Sequence, residues 1–398
     1  MPIWMIYVTV VTLFFGCNSS DHTLTGPPPV SPSGLSAEDL RAYQHGVDFL
    51  QRSDGNYWLI WASSGIPPQG EDADGEWTHD IYAAAINTQT PTLKPAAVIT
   101  EVRAQEPSSA AIASNGHIMI TMEDAFEDDD VYAQTYGVYN EQMEPLKGYR
   151  NIVAYGGHSG HVAAVGEQFV VFYSEGWVEG GGVDELGSGD DVLLKTYNTR
   201  GDLLHVKDVA VGETTRDWWP LVAGSSQYAL LLWQQFVENE SHARLLYRIY
   251  DPKNNLWVSD TALLSEAVQY YTYDVQYLET LERFLVCGTD AQGNGFARLL
   301  TREGQVVAHA GALPPLVREA QPALRARGAD AVTVVYPSAP KGLTVLTISR
   351  TDIQLKRTFV QEHTWLYSGT DGIFTDDENV YFISLTPQGA VALSATLK

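Results

Sequence analysis

The chain has 398 residues, 44% hydrophobic and 11% aromatic, with 34 glycines, which is enough apolar material for a large core. Its 24 Lys+Arg stand against 49 Asp+Glu, a formal net charge of -25, so most of the surface repels a nucleic-acid backbone or an anionic membrane face. No GxSxG, phosphate-binding loop, GxGxxG or CxxC occurs, which removes support for serine hydrolase, nucleotide and redox-thiol functions.

The chain begins with an uninterrupted apolar run, Ile3 to Phe15, too short for a stable bilayer anchor but suited to the hydrophobic region of a signal peptide. The run ends in Leu13, Phe14, Phe15, Gly16, Cys17, which resembles the signal of a bacterial lipoprotein. That resemblance implies a signal segment over residues 1–17 in which Cys17 becomes the acylated N-terminus once the residues before it are removed, and Asn18 beside it implies sorting to the outer membrane. Two features depart from the pattern: no Lys or Arg precedes the run, and Phe15 is bulky. The polar, Pro-rich tract 18–33 reads as a flexible tether, and a short helix is expected over Ser36 to Tyr43. Cys287, inside RFLVCG, then has no disulfide partner and reads as a buried small hydrophobe.

From residue 34 to 398 one plan repeats: a short strand, a turn, a strongly apolar strand, a variable loop and another alternating strand. The second strands start at Asn56, His117, Gln168, Tyr228, Arg283, Ala331 and Asn379, spaced by 61, 51, 60, 55, 48 and 48 residues. A period near 50 with about four strands per unit predicts an all-β, seven-bladed β-propeller of four-stranded antiparallel blades. The last blade runs out of chain after its third strand, so an N-terminal strand from about Gly34 to Gly46 is expected to close it.

In such a fold the loops leading into each innermost strand and those joining second to third strands share one face. The former read YQHGVD, RAQEPS, YGGHSGH, TTRDWWP, VQYYTYD, VREAQPA and QEHTWLYS, rich in His, aromatic, Arg and carboxylate groups. An aromatic-lined cleft suits an extended ligand such as a sugar chain, with Trp177, Trp218, Trp219, Tyr271, Gln321, His363 and Trp365 as ligand-binding candidates and Tyr270 beside them. About half of these aromatics are equally suited to filling the space between blades.

His158 and His161, spaced HxxH in a Gly-rich loop, are candidates for acid–base work, with Glu175, Asp217 and Tyr273 completing a catalytic set if the protein is an enzyme. Metal ligation and strand capping by these histidines remain alternatives. The acidic loop EGWVEGGGVDELGSGDD places Glu179, Asp184, Asp190 and Asp191 as candidate calcium ligands, with solvated acidic loops as the alternative. The segment HSGHVAAVGEQFVVFYS is similar to one blade of certain propeller polysaccharide lyases, in which a His at the start of an inner strand acts as acid–base catalyst and an Arg neutralises a uronate. The resemblance covers one blade of seven; it implies that role for His158 or His161, with Arg150 and Arg216 as the arginine candidates. Such enzymes draw their histidines from separate strands, whereas here the two are neighbours. Three functions are therefore expected: an outer-membrane propeller binding a glycan or a partner protein, a polysaccharide lyase or glycoside hydrolase, and an envelope scaffold.

Overall fold

The computed structural model describes residues 44–64, 79–86, 95–100, 105–125, 132–176, 191–212, 215–237, 240–320, 322–339, 342–360, 371–375, 379–386 and 389–396. The expected leader, tether and helix at Ser36 to Tyr43 lie outside them, as does the expected closing strand up to residue 43; its last three residues, from Gln44, instead begin the first sheet. Among the described residues every regular element but one three-residue turn of 3-10 helix is a strand.

The strands form antiparallel sheets in chain order. The first contains β1 (Gln44–Gln51), β2 (Tyr57–Ser63), β3 (Asp80–Ile86) and β4 (Ala96–Ile99). The second contains β5 (Gln105–Ile112), β6 (Ile118–Ala125), β7 (Tyr132–Tyr139) and β8 (Pro145–Tyr155). The third contains β9 (His158–Val165), β10 (Gln168–Glu175), β11 (Asp191–Asn198) and β12 (Leu203–Ala210).

Next comes β13 (Asp217–Gly224), β14 (Ala229–Phe236), β15 (Ala243–Asp251), the two-residue β16 (Leu256–Trp257), β17 (Ala262–Leu278), β18 (Arg283–Asp290), β19 (Gly295–Thr301) and β20 (Val306–Leu313), all in one sheet of eight strands. The joint is β17, whose first part pairs with β15 and whose second part pairs with β18. Two strands expected to be separate are thus one continuous strand of 17 residues. The chain ends with β21 (Ala323–Arg327), β22 (Ala331–Ser338), β23 (Gly342–Ser349) and β24 (Ile353–Val360), then the three-stranded β25 (Asp371–Thr375), β26 (Asn379–Thr386) and β27 (Gly389–Thr396).

The core lies between successive sheets. Leu50, Ile60 and Ile81 of the first meet Ile118, Ile120 and Met122 of the second. Val170, Phe172 and Leu194 of the third meet Leu231, Trp233 and Tyr250 of the next. A second strand is therefore covered on both faces, which is why β14 reads ALLLWQQF instead of alternating. The fourth strands have one free face, and β12 alternates accordingly in its middle. First strands adjoin one another: β1 lies beside β5 on one side and β25 on the other, β5 beside β9, and β9 beside β13.

One device recurs where the first strands begin. Two residues of the first strand bulge opposite one of the second at Glu106 and Pro107, at Ser159 and Gly160, and at Trp219 and Pro220. The irregularity is longer in β17, between Val268 and Tyr273. Left-handed backbone accompanies it: φ is 75° at Gly46, 52° at Ser159, 52° at Trp219, 60° at Tyr271 and 58° at Glu319, which lies just ahead of β21. Four of these five residues are not glycine, a conformation that persists only when the surroundings hold it.

Candidate functional site

Side chains from the preceding repeat hold two of these bulges. Glu123 accepts the Ser159 N–H through Oε1, and Gln234 accepts the Tyr271 N–H at 3.2 Å. Each is the sixth residue of its second strand. The Gly160 N–H donates to Gln134 Oε1 at 2.9 Å, while Gln134 Nε2 donates to Thr121 Oγ1 at 2.7 Å. A Cβ on Gly160 would lie 2.4 Å from Gln134 Cδ, so any larger residue there must displace the Gln134 amide that the Gly160 N–H and Thr121 hold.

The bulges bring residues of four segments into one row. His158 sits edge-on to Trp218, ring centroids 4.1 Å apart, and His161 edge-on to Trp219 at 5.4 Å. Trp219 is in turn edge-on to Tyr271 at 4.9 Å, and the Arg318 guanidinium lies over the Tyr271 ring at 4.3 Å. Glu319 N–H donates to the Tyr271 carbonyl at 2.8 Å, and Arg318 Nε pairs with Glu319 Oε1 at 3.3 Å. The second histidine has its Nδ1 3.1 Å from the Ser159 carbonyl oxygen.

Most of this row is floor, with little of it open surface. His158, Trp218, Trp219, Tyr271 and Tyr273 are all buried. Burial pushes the His158 imidazolium down to about 3, so this ring is neutral at physiological pH. The Tyr273 hydroxyl donates to the Trp219 carbonyl at 2.7 Å, and burial holds the phenol well above its ordinary range. Asp217 is fully enclosed and accepts from Trp233 Nε1 at 2.6 Å and Gln235 Nε2 at 3.2 Å. Burial raises its carboxyl, against the lowering effect of these donors and of Thr215. His161, Arg216, Glu175 and Tyr270 are half-buried and Tyr155 is exposed, so these groups can meet a ligand.

The remaining sequence candidates are distributed as follows. Glu175 stands opposite Asp191 at the end of the β10–β11 pair, and Asp191 Oδ1 accepts the Gly212 N–H at 3.0 Å. Arg150 is committed to Asp124, Nε to Oδ2 at 2.7 Å, and Arg216 lies over Phe236 at 5.8 Å. Cys17, Trp177, Glu179, Asp184, Asp190, Gln321, His363 and Trp365 lie outside the described residues. Among the described residues no group of three or more His, Cys, Asp or Glu is placed to hold a metal ion. Arg318, Gln134, Gln234 and Glu123 are the contributors that spacing did not single out. Arg318 stands in the quoted loop VREAQPA, with no feature of the sequence to distinguish it from the other arginines.

No protein-family profile and no curated protein sequence matches the chain. Solved structures do. The polysaccharide lyase Uly1 superposes with a TM-score of 0.53 at 10% identity over 95% of this chain and 94% of its own. A polysaccharide lyase of family PL25, an ulvan lyase bound to -[GlcA(1-4)Rha3S]-, gives 0.51 at 9% identity over 89% and 94%. A chain of the mitotic checkpoint complex gives 0.50 at 10% identity over 86% and 84%. The fold is that of a β-propeller. At these identities the likeness is one of fold, and the propeller supports many functions.

Proposed function

We propose that the chain is an exported, seven-bladed propeller, lipid-anchored at Cys17 in the outer membrane, which binds a glycan at the end of the sheets that carries His161. Division of the eight-stranded sheet within β17 supports the blade count, and the position of β1 beside β25 supports a ring. The apolar run ending at Gly16-Cys17 supports export and anchoring.

The observation that carries the function is the row His161, Trp219, Tyr271, Arg318, in which Trp219 and Tyr271 keep left-handed backbone and Gln234 holds the Tyr271 N–H. His161, Arg216, Tyr270 and Tyr155, half-buried or exposed at the ends of their strands, combine ring faces with hydrogen-bonding groups, the mixture that sugar recognition requires. Two proteins of similar fold are polysaccharide lyases. The alternative is accordingly a lyase in which half-buried His161 removes the proton, since His158 is enclosed and, with its imidazolium down to about 3, too weak a base, and Tyr273 is committed to Trp219.

Affinity electrophoresis against neutral and anionic polysaccharides, with ultraviolet detection of unsaturated product, tests both. Retention without product, weakened in His161→Ala and Arg216→Ala, is the expected result. Product that disappears in His161→Ala assigns the lyase. Absence of retention on every polysaccharide overturns both.

A further inference from the structure

A separate cleft lies between the first and second sheets, toward the end where the β1–β2 and β7–β8 turns lie. Its volume is ≈ 500 Å³, within the range that holds one small ligand. Trp58 at the start of β2, Tyr139 at the end of β7, Met143 in the following turn and Tyr149 of β8 form its walls, and the β4 backbone forms one side.

Local sequence explains why the space exists. Ala96 and Ala97 contribute little bulk from β4, and Gly148 contributes none from β8. A Cβ on Gly137 would lie 2.8 Å from the Tyr139 hydroxyl, so that glycine lets the phenol lie back along its own strand. The two turns are clamped across the opening: Trp58 Nε1 donates to the Glu141 carbonyl at 2.9 Å, and Ser53 N and Oγ donate to the Glu141 carboxylate at 2.6 and 2.9 Å. Trp58 therefore has its N–H occupied.

The feature that points to a ligand is Tyr139. It is 3% exposed as a residue and lines the cleft, and its hydroxyl is not among the enclosed polar atoms that lack a partner, so the hydroxyl opens on the cleft. A tyrosine with a buried ring and its hydroxyl at an open cleft offers that hydroxyl to whatever fills the cleft. Burial alone pushes this phenol above its ordinary range, with no hydrogen bond contributing. Described side chains lining the cleft carry no charge, whereas Gln142 and Thr100 add an amide and a hydroxyl at the rim.

We propose that this cleft binds one neutral pyranose residue. Its ring would lie against the aromatic walls, and one of its hydroxyls, able both to donate and to accept, would satisfy Tyr139. An uncharged lining and a net charge of -25 disfavour a carboxylated or sulfated sugar. An aromatic hydrocarbon would leave the Tyr139 hydroxyl unsatisfied.

Saturation-transfer NMR on the full chain, with methyl glucoside, galactoside, mannoside and rhamnoside added singly and toluene as the apolar probe, tests the assignment. Transfer to at least one glycoside is expected, with affinity about tenfold lower in Tyr139→Phe and unchanged in His309→Ala, a substitution at an exposed position of β20. Trp58→Ala should also lose the signal while keeping cooperative unfolding. Transfer to no glycoside, transfer that survives both Tyr139→Phe and Trp58→Ala, or transfer to toluene alone would overturn it. Loss in His161→Ala with retention in Tyr139→Phe would place the sugar at the other end of the sheets, which sinks this proposal and leaves the function proposed above intact.

Discussion

Asp274→Asn should remove a pH-dependent weakness from the joint between β17 and β18. Asp274 lies opposite Cys287 in that pair, and its carboxylate Oδ2 is enclosed although the residue as a whole keeps partial exposure. Burial, with Asp48 adding a smaller repulsion, raises the carboxyl from 3.8 to about 8, against the lowering effect of the Val275 N–H and Gln276. Below about pH 4 the folded and unfolded chains both hold this proton, so it contributes nothing. Between about pH 4 and pH 8 the unfolded chain has released the proton and the folded chain keeps it, so stability falls as pH rises, by at most about 1.4 kcal/mol per pH unit.

Linkage from 3.8 up to pH 7 sets a ceiling of about 4 kcal/mol. Relaxation and water at the exposed part of the residue reduce this to an expected order of 1–3 kcal/mol. Asparagine fills the same volume without a proton to lose. Its gain over wild type should be small near about pH 5 and grow toward about pH 8. Denaturant unfolding followed by tryptophan fluorescence at several pH values measures the difference. A gain that is flat with pH, or a variant less stable throughout, would refute a protonated Asp274.

Further outcomes follow from the same structure. His158 is held neutral down to about 3, so its NMR resonance should not titrate near neutrality; stability that the group contributes above the ordinary 6.5 is lost as pH falls from there toward 3. Trp233→Phe removes the 2.6 Å donor of enclosed Asp217 and should cost about 1.5–3 kcal/mol in denaturant unfolding. Gly160→Ala forces a Cβ to 2.4 Å from Gln134 Cδ; it should cost about 1–3 kcal/mol and displace His161, and Gln134→Ala in the same chain should recover part of both, read by unfolding and by the His161 resonance.

The repeat was legible because strand periodicity is local. QFVVFYSEGW, YALLLWQQFV and AVTVVYPSAP were recognisable as second strands and are β10, β14 and β22. Runs of apolar residues covered on both faces need no knowledge of which sheets cover them. Histidine and aromatic candidates at the ends of the first strands were legible for the same reason: the repeat places them at one end of each sheet.

What the row would be made of was not. Ser159, Trp219, Tyr271 and Glu319 have left-handed backbone without the glycine that would announce it; Glu123 and Gln234, distant in sequence, hold the N–H groups of Ser159 and Tyr271, and the Tyr271 carbonyl holds that of Glu319. Arg150 and Arg216 were the arginines suggested by position, yet Arg150 belongs to Asp124 and Arg318 belongs to the row. Composition and periodicity by themselves determined an all-β, acidic, repeated chain with its decorated loops at one end of each sheet. Only tertiary structure decided which of those side chains are floor and which are open, since that depends on twist and packing between sheets some fifty residues apart in sequence, and no local pattern encodes it.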